Sequence, residues 1–507
     1  MFFKIRIFFL FITMVFVLNQ LIVAQNYPFP QNQKLEGVIY PSNTTFEEIN
    51  QIIKTYYDAW KSKFIKTTTT IDGGYYVEYK GYADYEKVNF KTVSEAHGYG
   101  MIIMALMAGY DPEAKTIFDG MLKVYQSFPS IISGYLMSWI LPEDEDYGKR
   151  SDCATDGDMD VAYALILAYL QWGDENYLSK AKTIIENGIK MYLVDDLKRL
   201  RLGDWATDGE YLYSTRSSDW MPEHLKLYKV YTNDNLWTEV VDTIYSLINQ
   251  IQTAYSPNTG LLPDFIVGEV ARPADPNFLE SDYDGHYYWN ACRDPWRLSM
   301  DYIHTQDERA KVAVSKMLDW VIERTGGDPS QILAGYKLDG TAIPGSYSGD
   351  PAFVAPFVTA GMIDSKYQDW LNAGWNYLKD QTPDEYYQAT LTLLNMLVIS
   401  GNWWNPFNLP TKVKKTKDID KKLELNISPN PFNPKAHISF NLQEKEKVSL
   451  KVYDLNGRLV KVLIEDSYLK EGVHNFTFDG KGLSSGMYLV VLEGENIHLE
   501  KKAILIK

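Results

Sequence analysis

Between Thr44 and about Ser400, apolar residues recur at three- and four-residue spacing in one segment after another, with Gly, Pro and Asp between the segments. That is the period of amphipathic helices. The pattern predicts about twelve, over 44–64, 95–108, 112–126, 157–172, 174–192, 218–231, 234–254, 290–304, 306–324, 350–362, 365–379 and 383–400. Thr44-Thr45 ahead of Glu47-Glu48, and Thr382 ahead of Glu385, have the spacing of N-terminal caps. The second, fourth, sixth, eighth and tenth helices begin near residues 95, 157, 218, 290 and 350, one αα-hairpin plus loop per unit. Six such hairpins close into a ring with an inner and an outer layer, an (α/α)6 barrel, whereas an open solenoid would leave end faces that need caps. Alternate helices then run the same way, and their N-terminal ends open on one mouth.

The pattern changes after Gly401. Residues 401–422 read as a Pro-interrupted, Lys-rich linker. Beyond it, 438–442, 448–453, 459–464, 474–478 and 487–492 alternate apolar and polar residues, with turns at Asn456-Gly457 and Ser485-Gly486, which predicts a small C-terminal β-sandwich. At the other end, Lys4 and Arg6 precede the apolar run Ile7–Leu18, and Ala24 suits a cleavage site. This is the form of a signal peptide, and the fully apolar run is shorter than the ~20 residues a membrane span requires. The expected organisation is a signal peptide at 1–25, a mainly α barrel at 35–405, a linker at 406–422 and a β-sandwich at 423–507, with no membrane span in the mature protein.

Composition sharpens this. A chain of 507 residues with 45% hydrophobic and 23% charged residues is too long for one ordinary domain and excludes disorder. The net charge of −16 argues against a nucleic acid or an anionic membrane as partner. The charge is uneven: residues 411–507 carry 17 Lys and Arg against 13 Asp and Glu, which leaves a net −20 for residues 1–410. Tyr and Trp (37 and 13) outnumber Phe (21), an excess of flat surfaces with a polar handle that suits sugar rings and cores alike. Cys153 and Cys292 are the only cysteines; an exported protein could oxidise them, and geometry decides whether they pair. Seven His without an His-x-x-x-His spacing or a cluster give no metal site, and there is no phosphate loop or dinucleotide fingerprint, so no cofactor is expected.

Four unusual segments fall at the starts of even-numbered helices: Ser94–Met101 (SEAHGYGM), Ala154–Asp158 (ATDGD), Thr215–Trp220 (TRSSDW) and Tyr287–Arg293 (YYWNACR). Each alone reads as a helix cap; four together, with aromatics and arginines beside them and one shared mouth, read as one site. Glu95 is the candidate acid. The helix dipole lowers the pKa of a first-turn carboxylate, so acid work requires an apolar wall or a second carboxylate, which Asp156 on the neighbouring inner helix can supply. Paired carboxyls with displaced pKa values are what glycoside hydrolysis needs.

Residues 94–101 and the run from Ala154 through Trp172 resemble the signatures of glycoside hydrolase family 8, inverting enzymes with an (α/α)6 barrel that cut β-1,4-linked glucans, xylans or chitosan. The resemblance covers roughly residues 35–405. It implies Glu95 as general acid, Asp156 as the aspartate that binds the sugar beside the scissile bond, and Arg293 as the arginine that follows the Tyr-Tyr cluster. One departure matters. In the cellulase and xylanase subgroup an aspartate at the position of Asn290 is the general base, and an amide cannot take a proton from water. A second subgroup, with chitosanases, chitosanase-glucanases and lichenases, has asparagine there and draws its base from a glutamate in an upstream loop. The segment between Thr253 and Gly285 is long for a helix connection, and Glu280 in it is the candidate base, although Glu269, Asp282 and Asp284 share the loop.

Trp139, Trp205, Trp220, Tyr287, Tyr288 and Tyr386 are candidate sugar platforms, about half of which are expected in the core; Arg216 and Asp219 would pair with each other or bind hydroxyls or amines. The run Ile427–Pro434, continuing through Tyr453–Arg458 and Ser485–Tyr488, resembles the C-terminal sorting domain of the type IX secretion system. It implies outer-membrane crossing with the secretion machinery as partner and a secreted or cell-surface location; the competing reading is a carbohydrate-binding module. The expected function is an exported, inverting endo-β-1,4-glycan hydrolase acting on chitosan or β-glucan, against a non-catalytic glycan-binding protein on the same barrel or a xylan-cleaving relative.

Overall fold

The computed structural model describes residues 25–83, 86–407, 425–442, 445–454, 458–470, 472–494 and 497–506. Residues 1–24 of the signal peptide expected at 1–25, residues 408–422 of the linker expected at 406–422, residues 423–424 and the expected Asn456-Gly457 turn lie outside the described residues. The chain divides into two compact units, Met1–Asn408 and Leu409–Lys507.

The first unit is the (α/α)6 barrel. Its helices are α1 (Phe46–Phe64), α2 (Ser94–Met107), α3 (Ala114–Ser127), α4 (Thr155–Trp172), α5 (Glu175–Thr183, continued as a π-helix over Ile184–Leu193) and α6 (Pro222–Thr232). Then follow α7 (Leu236–Ala254), α8 (Asp294–Thr305), α9 (Glu308–Thr325), α10 (Pro351–Ala360), α11 (Gln368–Leu378) and α12 (Tyr386–Ile399). The two layers follow from the sequence pattern. Along α2, α4, α8 and α10 nearly every residue is buried; α2, α4 and α10 are largely apolar all round, whereas α8 also buries Asp294, Arg297, Asp301 and His304. By contrast α1, α3, α7, α9 and α11 bury one stripe each. Successive even-numbered helices touch, and α12 returns to α2, so the inner ring closes; each odd-numbered helix packs outside its even-numbered partner.

Capping explains some ends and not others. Thr45 accepts from the Glu48 amide (3.2 Å) and Glu48 accepts from the Thr45 amide (2.9 Å), a complete capping box on α1. The second expected cap does not form: α12 starts at Tyr386 with Glu385 at its N-cap and no side-chain bond, while Thr382 donates to Asp384 instead. The even-numbered helix starts that bear the four motifs have no side-chain cap at all. Thr155, Asp156, Ser218 and Asn290 bond other groups instead. Two glycines set the spacing of that mouth. A Cβ on Gly157 would lie 2.5 Å from Ser94, and one on Gly98 would lie 2.5 Å from the Cβ of Asp160, so α2 and α4 start in direct backbone contact.

Short sheets flank the mouth. One joins 81–83, 88–93 and 140–142; another joins 215–216, 265–267 and 272–273, pairing Arg216 with Phe265. The second unit is a sandwich of a three-stranded sheet (472–479, 435–442, 426–428) and a four-stranded sheet (459–469, 446–454, 486–494, 498–505), all antiparallel. Ile438, Phe440, Leu450, Val452, Phe478, Val490 and Leu492 fill the space between them. Strands 426–428 and 498–505 were not predicted; the second interrupts its alternation with Glu500, Lys501 and Lys502.

Candidate active site

A cleft of about 990 Å³ lies at the mouth where the even-numbered helices begin. The sequence-predicted residues Glu95, Trp139, Asp156, Arg216, Glu280, Asn290, Arg293 and Tyr386 line it.

Arg293 is its hub. Its side chain is 2% exposed, and burying a guanidinium this deeply requires that it be fully paired. Nη1 donates to Glu95 Oε2 (2.7 Å), Asp156 Oδ2 (2.8 Å) and the Tyr99 hydroxyl (3.1 Å). Nη2 donates to Ser218 Oγ (2.7 Å) and Asn290 Oδ1 (3.2 Å). One arginine thus ties together residues from α2, α4, the 217–219 turn and the entry to α8. Ser218 of the third motif is explained by this bond rather than by capping.

Glu95 also accepts from the Tyr386 hydroxyl (2.8 Å). Burial raises its carboxyl pKa to about 7, with Asp156 adding to the rise and Arg293 and the Tyr386 bond opposing it. The expected repulsion from Asp156 is therefore present but second to desolvation. Asp156 goes the other way. Burial would raise it, but Arg293 and Arg216 overcome that and hold it below the usual carboxylate range. Two carboxyls on adjacent helices, sharing one guanidinium, are driven to opposite protonation states.

Across the cleft, Glu280 sits on the loop that follows the 265–273 hairpin. Its Oε1 accepts from Arg216 Nη2 (3.0 Å) and its Oε2 from Asn290 Nδ2 (2.8 Å), and its side chain is 45% exposed. Asn290 is the coupler: its oxygen faces Arg293, and its amide nitrogen faces Glu280 and Asp264 Oδ2 (3.3 Å). The other loop carboxylates are placed differently. Asp284 is buried and accepts from the amides of Leu279 (2.6 Å), Glu280 (2.9 Å) and Ser281 (2.8 Å), which fixes the loop. Asp282 faces Asn277, and Glu269 offers its backbone carbonyl to Arg199 on the far side of the hairpin. Neither lines the cleft.

Several expectations are corrected. Trp220 and Tyr287 are fully buried core residues, not platforms: the Trp220 indole donates to Thr215 Oγ1 (3.0 Å), and Tyr287 packs against Tyr336, Phe353 and Phe357. Trp205 packs edge-on against Tyr211 in a small satellite cluster, and Tyr288 packs edge-on against Tyr283; neither lines the cleft. Of the two alternatives for Asp219 the structure shows the pairing: it is fully buried and reaches Arg216 (3.4 Å). Cys153 and Cys292 are both buried and free, with Cys153 accepting from the Asp204 amide and Cys292 directed to the Trp289 carbonyl, so no disulfide forms.

Sequence reading missed Asp264, which accepts from the backbone amides of Tyr288 (2.9 Å), Asn290 (3.2 Å) and Ala291 (2.7 Å) and so holds the fourth motif in place. It missed Tyr79, Tyr82, Phe90, Tyr347 and Tyr387, which join Trp139, Trp289 and Tyr386 in the cleft wall. Tyr387, beside Tyr386 at the start of an inner helix, carried a signal of the same kind as the four motifs.

This arrangement has known counterparts. Residues 40–401 match the sequence profile described as glycosyl hydrolases family 8. The chain belongs to that family. A 42% identical beta-glucanase of Niallia circulans aligns with 75% of the chain and 92% of its own length, and a 40% identical endoglucanase of Bacillus sp. (strain KSM-330) with 78% and 86%. A solved beta-1,3-1,4-glucanase from Paenibacillus sp. X4 superposes on 75% of the chain and 100% of its own, with a TM-score of 0.71 at 42% identity. Residues 426–507 match the secretion system C-terminal sorting domain. This family 8 chain is a glycoside hydrolase that is secreted or displayed at the cell surface.

Proposed function

We propose that the protein is an inverting endo-β-glucanase that cuts β-1,4 bonds in a neutral, lichenan- or cellulose-type glucan. In this reading Glu95 protonates the leaving oxygen, Glu280 activates water on the opposite face, and Asp156 and Arg293 hold the sugar beside the bond. The supporting observation is the series Glu95, Arg293, Asn290, Glu280 across one cleft. A guanidinium and an amide between the two carboxyls fit the ~6.5–9.5 Å separation that leaves room for a water, rather than the ~5 Å of a double displacement. Glu95 has the raised proton affinity an acid needs, while Glu280 is half in solvent on the facing side of the cleft, bonded to Arg216 and open to a water.

The names of the 40–42% identical relatives favour glucan over chitosan or xylan. So does the pairing in the cleft: Glu95 and Asp156 already bond Arg293, and Glu280 already bonds Arg216. A polycationic chain would have to compete for those carboxylates, whereas neutral hydroxyls can add to them. The sorting domain takes the enzyme through type IX secretion. Among the described aromatic side chains of the sandwich that are exposed, only Tyr468 is a large exposed apolar surface, which disfavours a glycan-binding module.

The test is reducing-end release from lichenan, carboxymethylcellulose, xylan and chitosan side by side, with Glu95→Gln and Glu280→Gln as controls. Both variants are expected to lose at least about 10²–10⁴ in kcat, the range for a removed acid or base. Normal turnover by Glu280→Gln would remove the base assignment; turnover by Glu95→Gln, or preference for chitosan, would remove the acid assignment or the substrate.

A further inference from the structure

Beneath the cleft, the inner helices carry a second charged array that the reaction does not touch. Arg297, one turn after Arg293 on α8, is 2% exposed and donates to both oxygens of Asp160 on α4, from Nη1 at 2.9 Å and Nη2 at 2.5 Å. Asp160 also faces His224 Nε2 (3.0 Å), whose other ring nitrogen faces Glu223 Oε2 (2.8 Å). Glu223 in turn receives the Tyr163 hydroxyl (3.0 Å) and faces His304 Nδ1 (2.9 Å). The array therefore links α4, α6 and α8 through the centre of the barrel, with every carboxylate in it fully engaged.

It meets the active site at one atom. The Tyr99 hydroxyl on α2 receives Arg293 Nη1 (3.1 Å) from above and Arg297 Nη2 (3.5 Å) from below. Two like charges converging on a neutral oxygen repel each other unless each is neutralised from behind. Arg297 is neutralised by Asp160, and Arg293 by Asp156. The Arg297 guanidinium also lies 4.2 Å over the Trp296 ring and 5.4 Å from the Tyr99 ring, which leaves it little rotational freedom.

We propose that Arg297, acting through the Tyr99 hydroxyl, is a positioning residue that fixes the Arg293 guanidinium between Glu95 and Asp156. A planar guanidinium grips both oxygens of Asp160 from two nitrogens and still presents an N–H to the phenol, a forked geometry that the single nitrogen of an ammonium cannot reproduce. The proposal rests on the reading of Glu95 and Asp156 given above, and it predicts loss at the chemical step rather than in substrate binding, because Arg293 touches the groups at the scissile bond and not the remote platforms.

The experiment is a double-mutant cycle with Tyr99→Phe and Arg297→Lys, measuring kcat and KM separately on the best soluble glucan, with thermal melts as a check on folding. Each single variant is expected to lower kcat about tenfold with KM within about twofold, and the double variant to fall no further than the worse single one, since both cut the same link. Additive losses, or wild-type kcat in Tyr99→Phe, would overturn the proposal. If Arg297→Lys does not fold, Tyr99→Phe alone decides by the same kcat criterion. Glu95→Gln separates the two readings: if it is inactive while Tyr99→Phe is normal, the acid assignment stands and the positioning role falls; if Glu95→Gln is active, the acid assignment itself fails.

Discussion

Asn290→Asp places the carboxylate of the cellulase-type pattern into this cleft and asks whether the base can move to it. The substitution replaces a donor 2.8 Å from Glu280 Oε2 and 3.3 Å from Asp264 Oδ2 with an acceptor. Two unit charges at 2.8 Å repel by about 6 kcal/mol at an effective dielectric of about 20. Protonating an ordinary carboxylate at pH 7 costs about 4 kcal/mol, from about three pKa units at 1.36 kcal/mol each. Even after allowance for Arg216 and for water at the half-exposed Glu280, the two energies are comparable, so the pair holds a proton rather than two charges. That proton occupies the group that must receive one from water. The acidic limb of kcat/KM is expected to move up by at least about one pH unit, so that rates on that limb fall about tenfold at a given pH. In Glu280→Gln/Asn290→Asp one oxygen of the new carboxylate stays bonded to Arg293 and the other faces Asp264 Oδ2, a second acceptor, so neither is free to take a proton from water and activity is expected to stay below about 1% of the native enzyme. Initial rates across pH 4–9, with melting curves for each variant, measure both. Recovery of a tenth or more of native activity in the double variant would show that the base is not tied to the loop, and the reasoning would fail.

Other outcomes follow from the same geometry. The alkaline limb of kcat/KM is expected near pH 7, where Glu95 loses its proton, and the sign for stability is set the same way: its folded pKa of about 7 lies above the unfolded value of about 4.3, so its contribution is complete below about pH 4 and is lost as pH rises through 7. Chemical denaturation at pH 5 and 8 against Glu95→Gln checks this, and an unchanged difference between the two pH values would contradict it. Asp284→Ala releases three backbone amides and is expected to lower kcat about tenfold through a loosened Glu280 loop, with little change in melting temperature if the barrel core is independent of the loop. Trp139→Ala should raise KM several-fold with kcat retained, whereas Trp220→Ala should cost about 3–5 kcal/mol of stability; reversal of the two would exchange platform and core. Reducing agent should leave the melting temperature unchanged, because Cys153 and Cys292 are free.

The barrel was legible because its signal is long and repeated. Twelve apolar periods with a recurrence of sixty to seventy residues admit few arrangements, and the all-round apolar character of α2, α4 and α10 marks the inner ring. The site motifs were legible because four of them, with aromatics and arginines beside them, fall at helix starts that share one mouth; the structure adds that no side-chain cap occupies those starts. What could not be read was which side of an aromatic meets solvent. Tyr287 and Tyr386 look alike in sequence, yet Tyr287 is turned onto Phe353 and Phe357, while Tyr386 reaches Glu95. Asp264 was invisible for a different reason: it acts through three backbone amides some twenty-five residues away, a role that leaves no spacing in the chain.

The two proposed catalytic carboxyls differ in what carries them, and the chemistry gives a reason. An acid that must hold its proton near neutral pH needs desolvation, and the start of a buried inner helix supplies it: Glu95 is enclosed by Tyr386, Arg293 and Asp156. A base must stay ionised and meet water, and burial at a helix start raises a carboxyl unless cations offset it, as Arg293 and Arg216 do for Asp156. Placing Glu280 on a loop, half in solvent and bonded by Arg216, avoids that penalty, but loops are imprecise, and a base misplaced by an ångström loses much of its rate. Asp284 answers this by pinning three consecutive amides of the loop, and Asn290 by joining the Glu280 carboxylate to the arginine that holds Glu95. Asparagine at 290 is then not a lost base but the group that gives a loop-borne carboxylate the precision of a helix-borne one, which is why restoring an aspartate there is expected to subtract activity rather than add it.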